Sequence, residues 1–277
     1  MYIFCRNLLR KTFALFGLGL VALDRSIALE EARIQRDNFL AKLPFFLEIY
    51  ARLKWSSKTK MEVLKESRSE SGQDLFAILA SDFKEGGVFL EFGAYNGIDF
   101  SNTLLLERRF GWTGLLVEPV PRSFKEILNN RSSLAIHGAV TPTDTHRVLV
   151  YEEPAANLSK MSALSTRPKS IRKGVEHWVP GLSINTLMRD HLLRKEIDFL
   201  SVDVEGFELS ILETIDFDYF KFGAICVEHN FLPTAEALRK LLEENGYVVL
   251  FEEFSGNDFW FVHSSNIFCI ATGGHET

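Results

Sequence analysis

Four polar side chains near the end of two apolar segments are the residues best suited to chemistry. Asp203 and Glu205 end one segment, and Glu228 and His229 follow the next. Both segments read as buried strands, and ligands of open α/β sheets bind at the carboxyl ends of the strands. We therefore expect these side chains to meet in one crevice. Carboxylates and imidazoles there can accept a proton from a hydroxyl group or can bind a divalent cation.

These side chains leave two mechanisms open. We favour His229 as a general base, because an ordinary histidine pKa of about 6.5 suits proton transfer near neutral pH. Asp203 would then orient its ring, and Glu205 is either catalytic or a carboxylate at a helix N-terminus. The alternative is a Mg²⁺ or Mn²⁺ site formed by Asp203, Glu228 and His229. We prefer no metal, because Glu-His-Asn lacks paired acids at one strand end.

An earlier segment has the pattern of a nucleotide-binding βαβ unit. The apolar run Val88–Phe92 predicts a buried parallel strand, and the turn Gly93–Gly97 follows it. A helical segment comes next, and a second apolar run then ends on Glu118. The glycines allow a ligand to approach the backbone closely, and the acid can accept hydrogen bonds from ribose hydroxyls.

The type of nucleotide follows from Glu91 and from the number of glycines. A dinucleotide fingerprint needs a third glycine, which this turn lacks. A carboxylate at Glu91 would repel a pyrophosphate but could bind an ammonium group. This combination favours S-adenosylmethionine, which carries an amino acid, a sulfonium and a ribose but no phosphate.

Four motifs in this sequence resemble the FkbM-type S-adenosylmethionine-dependent methyltransferases: Glu91–Gly97, Ser101–Thr103, Gly111–Pro119 and Asp203–Glu208. The resemblance covers about residues 71–262. It implies an α/β fold with a Rossmann-like, seven-stranded class I methyltransferase sheet, and O-methylation, often of sugars or glycan precursors. With the βαβ pattern, it predicts these cofactor-binding residues: Glu91, Gly93, Ala94, Tyr95, Asn96, Gly97, Asn102, Glu118, Pro119, Ala139, Val140 and Asp203.

The chain is expected to contain two parts. Residues 1–70 would form an N-terminal helical extension, and residues 71–277 the methyltransferase domain with an insertion at about 148–182. Residues 157–179 read as a basic loop, either an acceptor lid suited to phosphate or a solvated surface. Leu134–Val140 reads as one strand.

The N-terminal apolar run Thr12–Leu23 is too short to span a bilayer, which needs about 20 residues. We expect an interfacial helix within residues 1–25, peripheral to the inner face of a membrane, or a plain hydrophobic helix. A signal peptide is disfavoured because no small-residue cleavage site follows the run.

Composition narrows the partners and the compartment. The net charge of −6 argues against nucleic-acid binding. The three cysteines show no metal-ligand spacing, which is typical of reduced thiols in the cytoplasm. The partner expected is a small-molecule or glycan acceptor.

The sequence thus predicts a cytoplasmic S-adenosylmethionine-dependent O-methyltransferase that acts on a sugar hydroxyl of a glycan or glycolipid precursor. Two other functions stay open. One is a methyltransferase-like binding module without turnover, and the other is a nicotinamide-dependent oxidoreductase, which the turn disfavours.

Overall fold

A computed structural model describes residues 57–152, 162–164, 175–192 and 194–266. These residues contain eleven strands in two sheets. In chain order the strands are β1 (Val88–Phe92), β2 (Thr113–Glu118), β3 (Leu134–His137), β4 (Ala139–Thr141), β5 (Thr145–Glu152), β6 (Ser162–Leu164), β7 (Val175–Ser183), β8 (Glu196–Val202), β9 (Lys221–Glu228), β10 (Tyr247–Leu250) and β11 (Asp258–His263).

Eight α-helices and one 3₁₀ turn, Ser264–Asn266, are found in the same residues. The helices are α1 (Ser57–Glu66), α2 (Gln73–Ala80), α3 (Leu104–Phe110), α4 (Pro121–Asn130), α5 (Ile184–His191), α6 (Glu208–Leu212), α7 (Ala235–Glu244) and α8 (Glu252–Ser255). Among the described helices, none is long and apolar enough to cross a membrane.

The larger sheet confirms the seven-stranded α/β architecture predicted from the sequence. Its strand order is β10-β11-β9-β8-β1-β2-β3. All neighbouring pairs are parallel except those of β11, which runs antiparallel to both β9 and β10. From β1 the chain proceeds outward to β3 on one side and later through β8 to the other edge. This reversal between β1 and β8 opens a crevice at their carboxyl ends.

Burial of both faces explains why the central strands are continuous apolar runs. All five residues of β1 are buried. Leu90, Leu200 and Ile225, on three adjacent strands, are fully inaccessible to solvent and belong to one core cluster. Helices cover a parallel sheet on both sides, so its strands need no polar face. The core therefore holds the strand ends that carry the site.

The predicted single strand Leu134–Val140 is wrong, because the chain divides at Gly138. β3 pairs with β2 in the main sheet, whereas β4 pairs with β7 in a second sheet of order β4-β7-β5-β6. A side chain at Gly138 would meet Leu182 Cδ1 at 2.9 Å and the Pro180 carbonyl oxygen at 3.0 Å. The glycine thus lets β7 approach the point where the chain changes sheets.

The second sheet also corrects the predicted loop at 157–179. Strand β7 begins at Val175, within that predicted loop, and pairs with β5. The five basic residues between Lys160 and Lys173 lie outside the described residues, so their assignment as a lid stays a prediction. The N-terminal extension to residue 56, including the predicted membrane contact, lies outside them as well.

Candidate active site

The glycine turn after β1 is closely packed against the end of β8. Gly93 has a φ of +83°, and a Cβ atom there would lie 2.0 Å from the carbonyl oxygen of Asp203. The Gly93 N–H donates to the Val117 carbonyl at 3.1 Å, which ties the turn to β2 as well. The sequence suggested that Gly93 makes room for the cofactor. In the structure, this glycine also makes room for the neighbouring strand end.

Glu91 was expected to bind an ammonium group, but its carboxylate is buried in an internal network. It accepts hydrogen bonds from the Asn102 N–H at 2.7 Å, from the Ser101 hydroxyl at 3.2 Å and from the Thr103 hydroxyl. Nη1 of Arg131 lies 3.5 Å away. These contacts fix the start of α3, and they leave the carboxylate directed into the protein rather than toward a ligand.

Glu118 stands at the end of β2, as predicted, and connects the two loops beside it. One carboxylate oxygen accepts from the Tyr95 N–H at 2.9 Å, and the other accepts from the Val120 N–H at 2.8 Å. Burial raises the pKa of Glu118 to about 8 despite these hydrogen bonds. Each carboxylate oxygen has a further lone pair. The side chain can therefore bind ribose hydroxyls while it holds the turn.

Asn102 provides an acceptor that the protein leaves unused. Its Nδ2 donates to the Ser201 hydroxyl at 2.9 Å. Its Oδ1 is buried, and no described residue hydrogen-bonds to it. A buried carbonyl oxygen without a donor is costly, so a ligand group that donates to it would remove this cost. The ammonium group of S-adenosylmethionine fits this requirement.

The predicted cofactor residues contribute to one cleft in different ways. The cleft has a volume of about 30 Å³, so most of the donor would lie along its surface rather than inside it. The residues that line it are Gly93, Val117, Pro119, Gly138, Ala139, Val140, Val150, Asp203 and Val204.

The other predicted cofactor residues shape the turn. Ala94 is buried, Gly97 packs against Arg131, and Tyr95 has a φ of +46°. Oδ1 of Asn96 accepts from the N–H groups of Ile98 and Asp99 at 3.0 and 2.9 Å. These residues therefore set the backbone beside which the ligand would lie.

Three carboxylates meet at the ends of β8 and β9. One oxygen from each of Asp203, Glu205 and Glu228 lies within 4.8 Å of the others. Glu205 has a φ of +59°, a conformation that a residue with a side chain adopts only under constraint. The constraint comes from Glu208, whose carboxylate accepts from the N–H groups of Val204 at 3.1 Å and Gly206 at 3.0 Å. Glu208 therefore positions the loop.

Crowding of these acids favours their protonated forms. Burial raises the pKa of Asp203 well above its usual range, and the charge of Glu228 raises it further. Burial and then the charge of Glu205 raise the pKa of Glu228 to about 8. One carboxylate oxygen of Asp203 lies within 4.8 Å of one of Glu228. Both carboxyl groups therefore favour their protonated forms at neutral pH.

His229, the predicted base, is not part of the cluster formed by Asp203, Glu205 and Glu228. Its Nδ1 accepts from the Phe231 N–H at 3.0 Å, and its ring centre lies 4.2 Å from that of Phe259. Successive side chains at a strand end point to opposite faces, so Glu228 and His229 cannot both face Asp203. Glu228, which the sequence suggested only as a metal ligand, stands beside Asp203 instead.

The acid cluster has the ligand chemistry of a divalent cation site. Within the described part of the chain, its three carboxylates are the one group of that kind. Oε2 of Glu228 is buried, and no described residue hydrogen-bonds to it. Oxygen ligands of this type suit Mg²⁺. The predicted alternative set thus changes in one member, with Glu205 in the place of His229.

With this geometry established, the comparison with protein families is decisive. Residues 91–249, more than half of the chain, match the family model of the methyltransferase FkbM domain. The chain belongs to the FkbM methyltransferase family. Its family and its fold together imply S-adenosylmethionine as the methyl donor. No curated protein sequence matches this FkbM-family chain significantly.

Solved structures similar to this FkbM-family protein share its fold at low sequence identity. Methyltransferase FkbM from Methylobacillus flagellatus KT is 12% identical, with a TM-score of 0.43 over 82% of this chain and 60% of that one. Precorrin-6y C5,15-methyltransferase from Geobacter metallireducens GS-15 is 13% identical, with a TM-score of 0.41 over 72% and 89%. TrmK of M. capricolum, in complex with S-adenosylhomocysteine, is 10% identical, with a TM-score of 0.36 over 67% and 65%.

The sequence did not indicate one residue that organises the FkbM-type site. Arg131 is fully buried and bridges Glu91 and Glu107, with Arg131–Glu107 at 3.2 Å. It follows a helix in a polar segment, where arginines are usually exposed. Glu91 and Glu107 could have suggested a buried basic partner, but their distance from Arg131 in the sequence does not identify it.

Proposed function

We propose that this protein is an S-adenosylmethionine-dependent O-methyltransferase that methylates a sugar hydroxyl of a glycan or glycolipid precursor. The observation that supports O-methylation most directly is the closeness of the Asp203 and Glu228 carboxyl groups, which have oxygens within 4.8 Å of each other. Asp203 also lines the donor cleft. A hydroxyl acceptor must lose its proton during transfer, and a carboxylate beside the methyl donor meets this need.

The donor cleft supplies the binding groups for this proposal. Glu118 would accept from the ribose hydroxyls, and Oδ1 of Asn102 would accept from the ammonium group. Ala139 and Val140 would form an apolar wall for the adenine. When bound, S-adenosylmethionine supplies an electrophilic methyl group, so the transfer is an in-line displacement that depends on alignment.

The carboxyl pair would control the proton. As the acceptor oxygen forms its bond to the methyl carbon, the carbon–sulfur bond breaks and the hydroxyl proton moves to Glu228. Asp203 keeps its own proton, so the proton taken from the acceptor stays on Glu228, whose deprotonated form accepts it. A pKa of about 8 for Glu228 makes it a stronger base than an ordinary carboxylate.

A cation-assisted route is the competing mechanism, favoured by the spacing of Asp203, Glu205 and Glu228. In that route the three carboxylates would be ligands, and the cation would acidify the acceptor hydroxyl. The base mechanism predicts turnover in EDTA, whereas the cation route predicts loss in EDTA and recovery with Mg²⁺ or Mn²⁺.

The test combines donor binding with product analysis. Calorimetry should show binding of S-adenosylmethionine and no binding of NAD. Methyl-labelled donor and a fractionated glycan and glycolipid extract should yield products with the label on oxygen, located by mass spectrometry. Label on nitrogen or carbon would contradict O-methylation. Donor binding without any labelled product would favour the inactive module, and NAD binding would favour the oxidoreductase.

We also propose peripheral attachment to a membrane through residues 1–25. The apolar run Thr12–Leu23, with the basic residues Arg6, Arg10 and Lys11 before it, supports this location. Deletion of Met1–Arg25 should release the protein from the membrane fraction and leave donor affinity unchanged. Unaltered fractionation would favour a plain hydrophobic helix.

A further inference from the structure

A second cavity, of about 450 Å³, lies beside the acid cluster on the side of β9 and β11. This size is within the usual range of small-ligand pockets, about 300–1,000 Å³. Asp258 lines the cavity and is the register partner of Glu228. Leu232, also in its wall, lies 3.8 Å from the position that a Cβ on Gly206 would take. The cavity therefore adjoins the loop that carries Glu205, and through Asp258 it adjoins the end of the strand that carries Glu228.

Aromatic rings form one side of this cavity. Phe231 is 76% exposed, although it is a large apolar side chain. Its φ of +53° and the hydrogen bond from its N–H to His229 Nδ1 fix it in a tight turn. Phe259 packs against the His229 ring from within the cavity wall. His229 thus supports two phenylalanine rings, one of which is held in solvent at the rim.

The polar groups of the wall do not favour an anion. Arg239 already pairs with Glu243 at 2.9 Å and with Glu252 at 2.8 Å. Asp258 accepts a hydrogen bond from Gln73 at 2.6 Å, and Glu228 is its register partner on the neighbouring strand. The wall therefore has more acidic than basic groups, and a phosphate placed there would face carboxylates. Hydroxyl groups, in contrast, can donate to these carboxylates.

We propose that this cavity is the acceptor subsite and takes a neutral ring with hydroxyl substituents, such as an unphosphorylated sugar residue. The apolar face of the ring would pack on Phe231 and Phe259, and its hydroxyl edge would face Asp258 and Glu228. The identification of this ring as the acceptor rests on the proposed O-methyltransferase function. Any phosphate of a larger precursor would lie outside this cavity.

The test is a substitution that fills the cavity without disturbing helix α7. Ala235 lines the cavity at the start of α7, and Ala237, in the same helix, is exposed. Ala235→Trp should block the cavity, and Ala237→Trp is the matched control. The probes are methyl glycosides of glucose, galactose, mannose and rhamnose, with glucose 6-phosphate as the charged comparison, followed by saturation-transfer NMR. Calorimetry with S-adenosylmethionine reports whether each variant keeps its fold.

The parent and Ala237→Trp should show saturation transfer to at least one methyl glycoside and none to glucose 6-phosphate. Ala235→Trp should lose the glycoside signal and bind the donor like the parent. A parent without any glycoside signal, a signal that survives in Ala235→Trp, or a preference for the phosphate would overturn the subsite. If Ala235→Trp does not fold, Phe231→Asn replaces it, because asparagine tolerates a positive φ, and it should weaken the signal.

The same samples separate this inference from the proposed function. Cavity-dependent glycoside binding without labelled methyl transfer, to the glycosides or to the extract, would contradict O-methylation but retain the binding site. Methyl transfer that Ala235→Trp does not reduce would retain O-methylation and place the acceptor elsewhere.

Discussion

Two groups of acids in this protein, one buried and one half-buried, show opposite ways of accommodating crowded carboxylates. Glu91 and Glu107 surround the fully buried Arg131, and serine, threonine and backbone N–H groups hydrogen-bond to them. Asp203, Glu205 and Glu228 each bring one carboxylate oxygen within 4.8 Å of the others, and burial and the neighbouring acids raise the pKa of Asp203 and of Glu228. The first group is balanced by a positive charge, and the second by a retained proton.

The pKa values express this difference. Burial alone would raise the pKa of Glu107, but hydrogen bonds from Ser132 and Ser133 and the charge of Arg131 together lower it. For Asp203 and Glu228, burial and neighbouring acids act in the same direction and raise the pKa. An acid paired with a cation can support the fold but is a poor proton acceptor. An acid whose pKa is raised by its neighbours can exchange a proton near neutral pH.

Removal of the cation should produce the largest effect on stability. Arg131→Met leaves Glu91 and Glu107 buried without their partner, and loss of one member of a buried ion pair costs about 3–5 kcal/mol. The free energy of unfolding in urea measures this cost. Arg122→Met, at a largely exposed i,i+4 pair, is the control and should leave it nearly unchanged. A small loss for Arg131→Met would show that the first group does not depend on its cation.

Replacement of the proposed base should affect turnover rather than stability. Glu228→Gln should lower the rate of labelled methyl transfer about a hundredfold or more, because general base catalysis contributes about 10²–10⁴-fold. The exposed Glu253→Gln is the matched control. His229→Asn should affect the acceptor KM more than kcat if it only supports the aromatic rim. If His229→Asn lowers kcat about a hundredfold and Glu228→Gln does not, the imidazole is the base.

Glu118 is an intermediate case, a buried acid without a cation and with two backbone donors. At pH 9, above its pKa of about 8, the Glu118 carboxyl is ionised, and Glu118→Gln should weaken binding of S-adenosylmethionine about tenfold or more, since a hydrogen bond to a charged group contributes about 1.5–3 kcal/mol. Calorimetry measures the affinity, with Glu126→Gln on the exposed side of α4 as the control. An affinity like that of the parent would show that Glu118 does not bind the donor.

The retained proton should make stability fall as the pH rises. The pKa of Glu228 is about 8 in the folded protein and about 4.5 in the unfolded chain, so the folded state binds more protons between these values. The parent should lose at least about 1 kcal/mol relative to Glu228→Gln from pH 5 to pH 8. The pKa of Glu118 is raised in the parent and in the variant alike, so its contribution to the pH dependence of stability cancels in the difference between them. Parallel urea-unfolding profiles would contradict the retained proton.

The sequence predicted the sheet well because its strands are apolar runs that end on polar residues. Val88–Phe92 has the predicted bounds, and Glu118 and Asp203 stand at the predicted ends. The strand break at Gly138 was not predictable, because it depends on the approach of β7 from a distant part of the chain.

The site was harder to predict than the fold, because it depends on which face each side chain takes. Glu228 and His229 are adjacent in sequence, and only the exact end of β9 decides which one faces Asp203. The buried position of Arg131 is a tertiary property for the same reason. Residue type and order therefore located the strand ends but did not separate the base from its neighbour.

The contact between Gly93 and the Asp203 carbonyl has a consequence for engineering acceptor preference. The donor turn and the acceptor-side loop share one backbone boundary, with no room even for a methyl group between them. A loop taken from a relative to replace Asp203–Gly206 would have to keep the path of that carbonyl, or the donor turn would be displaced with it. Exchanges that begin beyond Gly206, in the segment of Phe231 and Leu232, avoid this boundary and are the better starting point for chimeras.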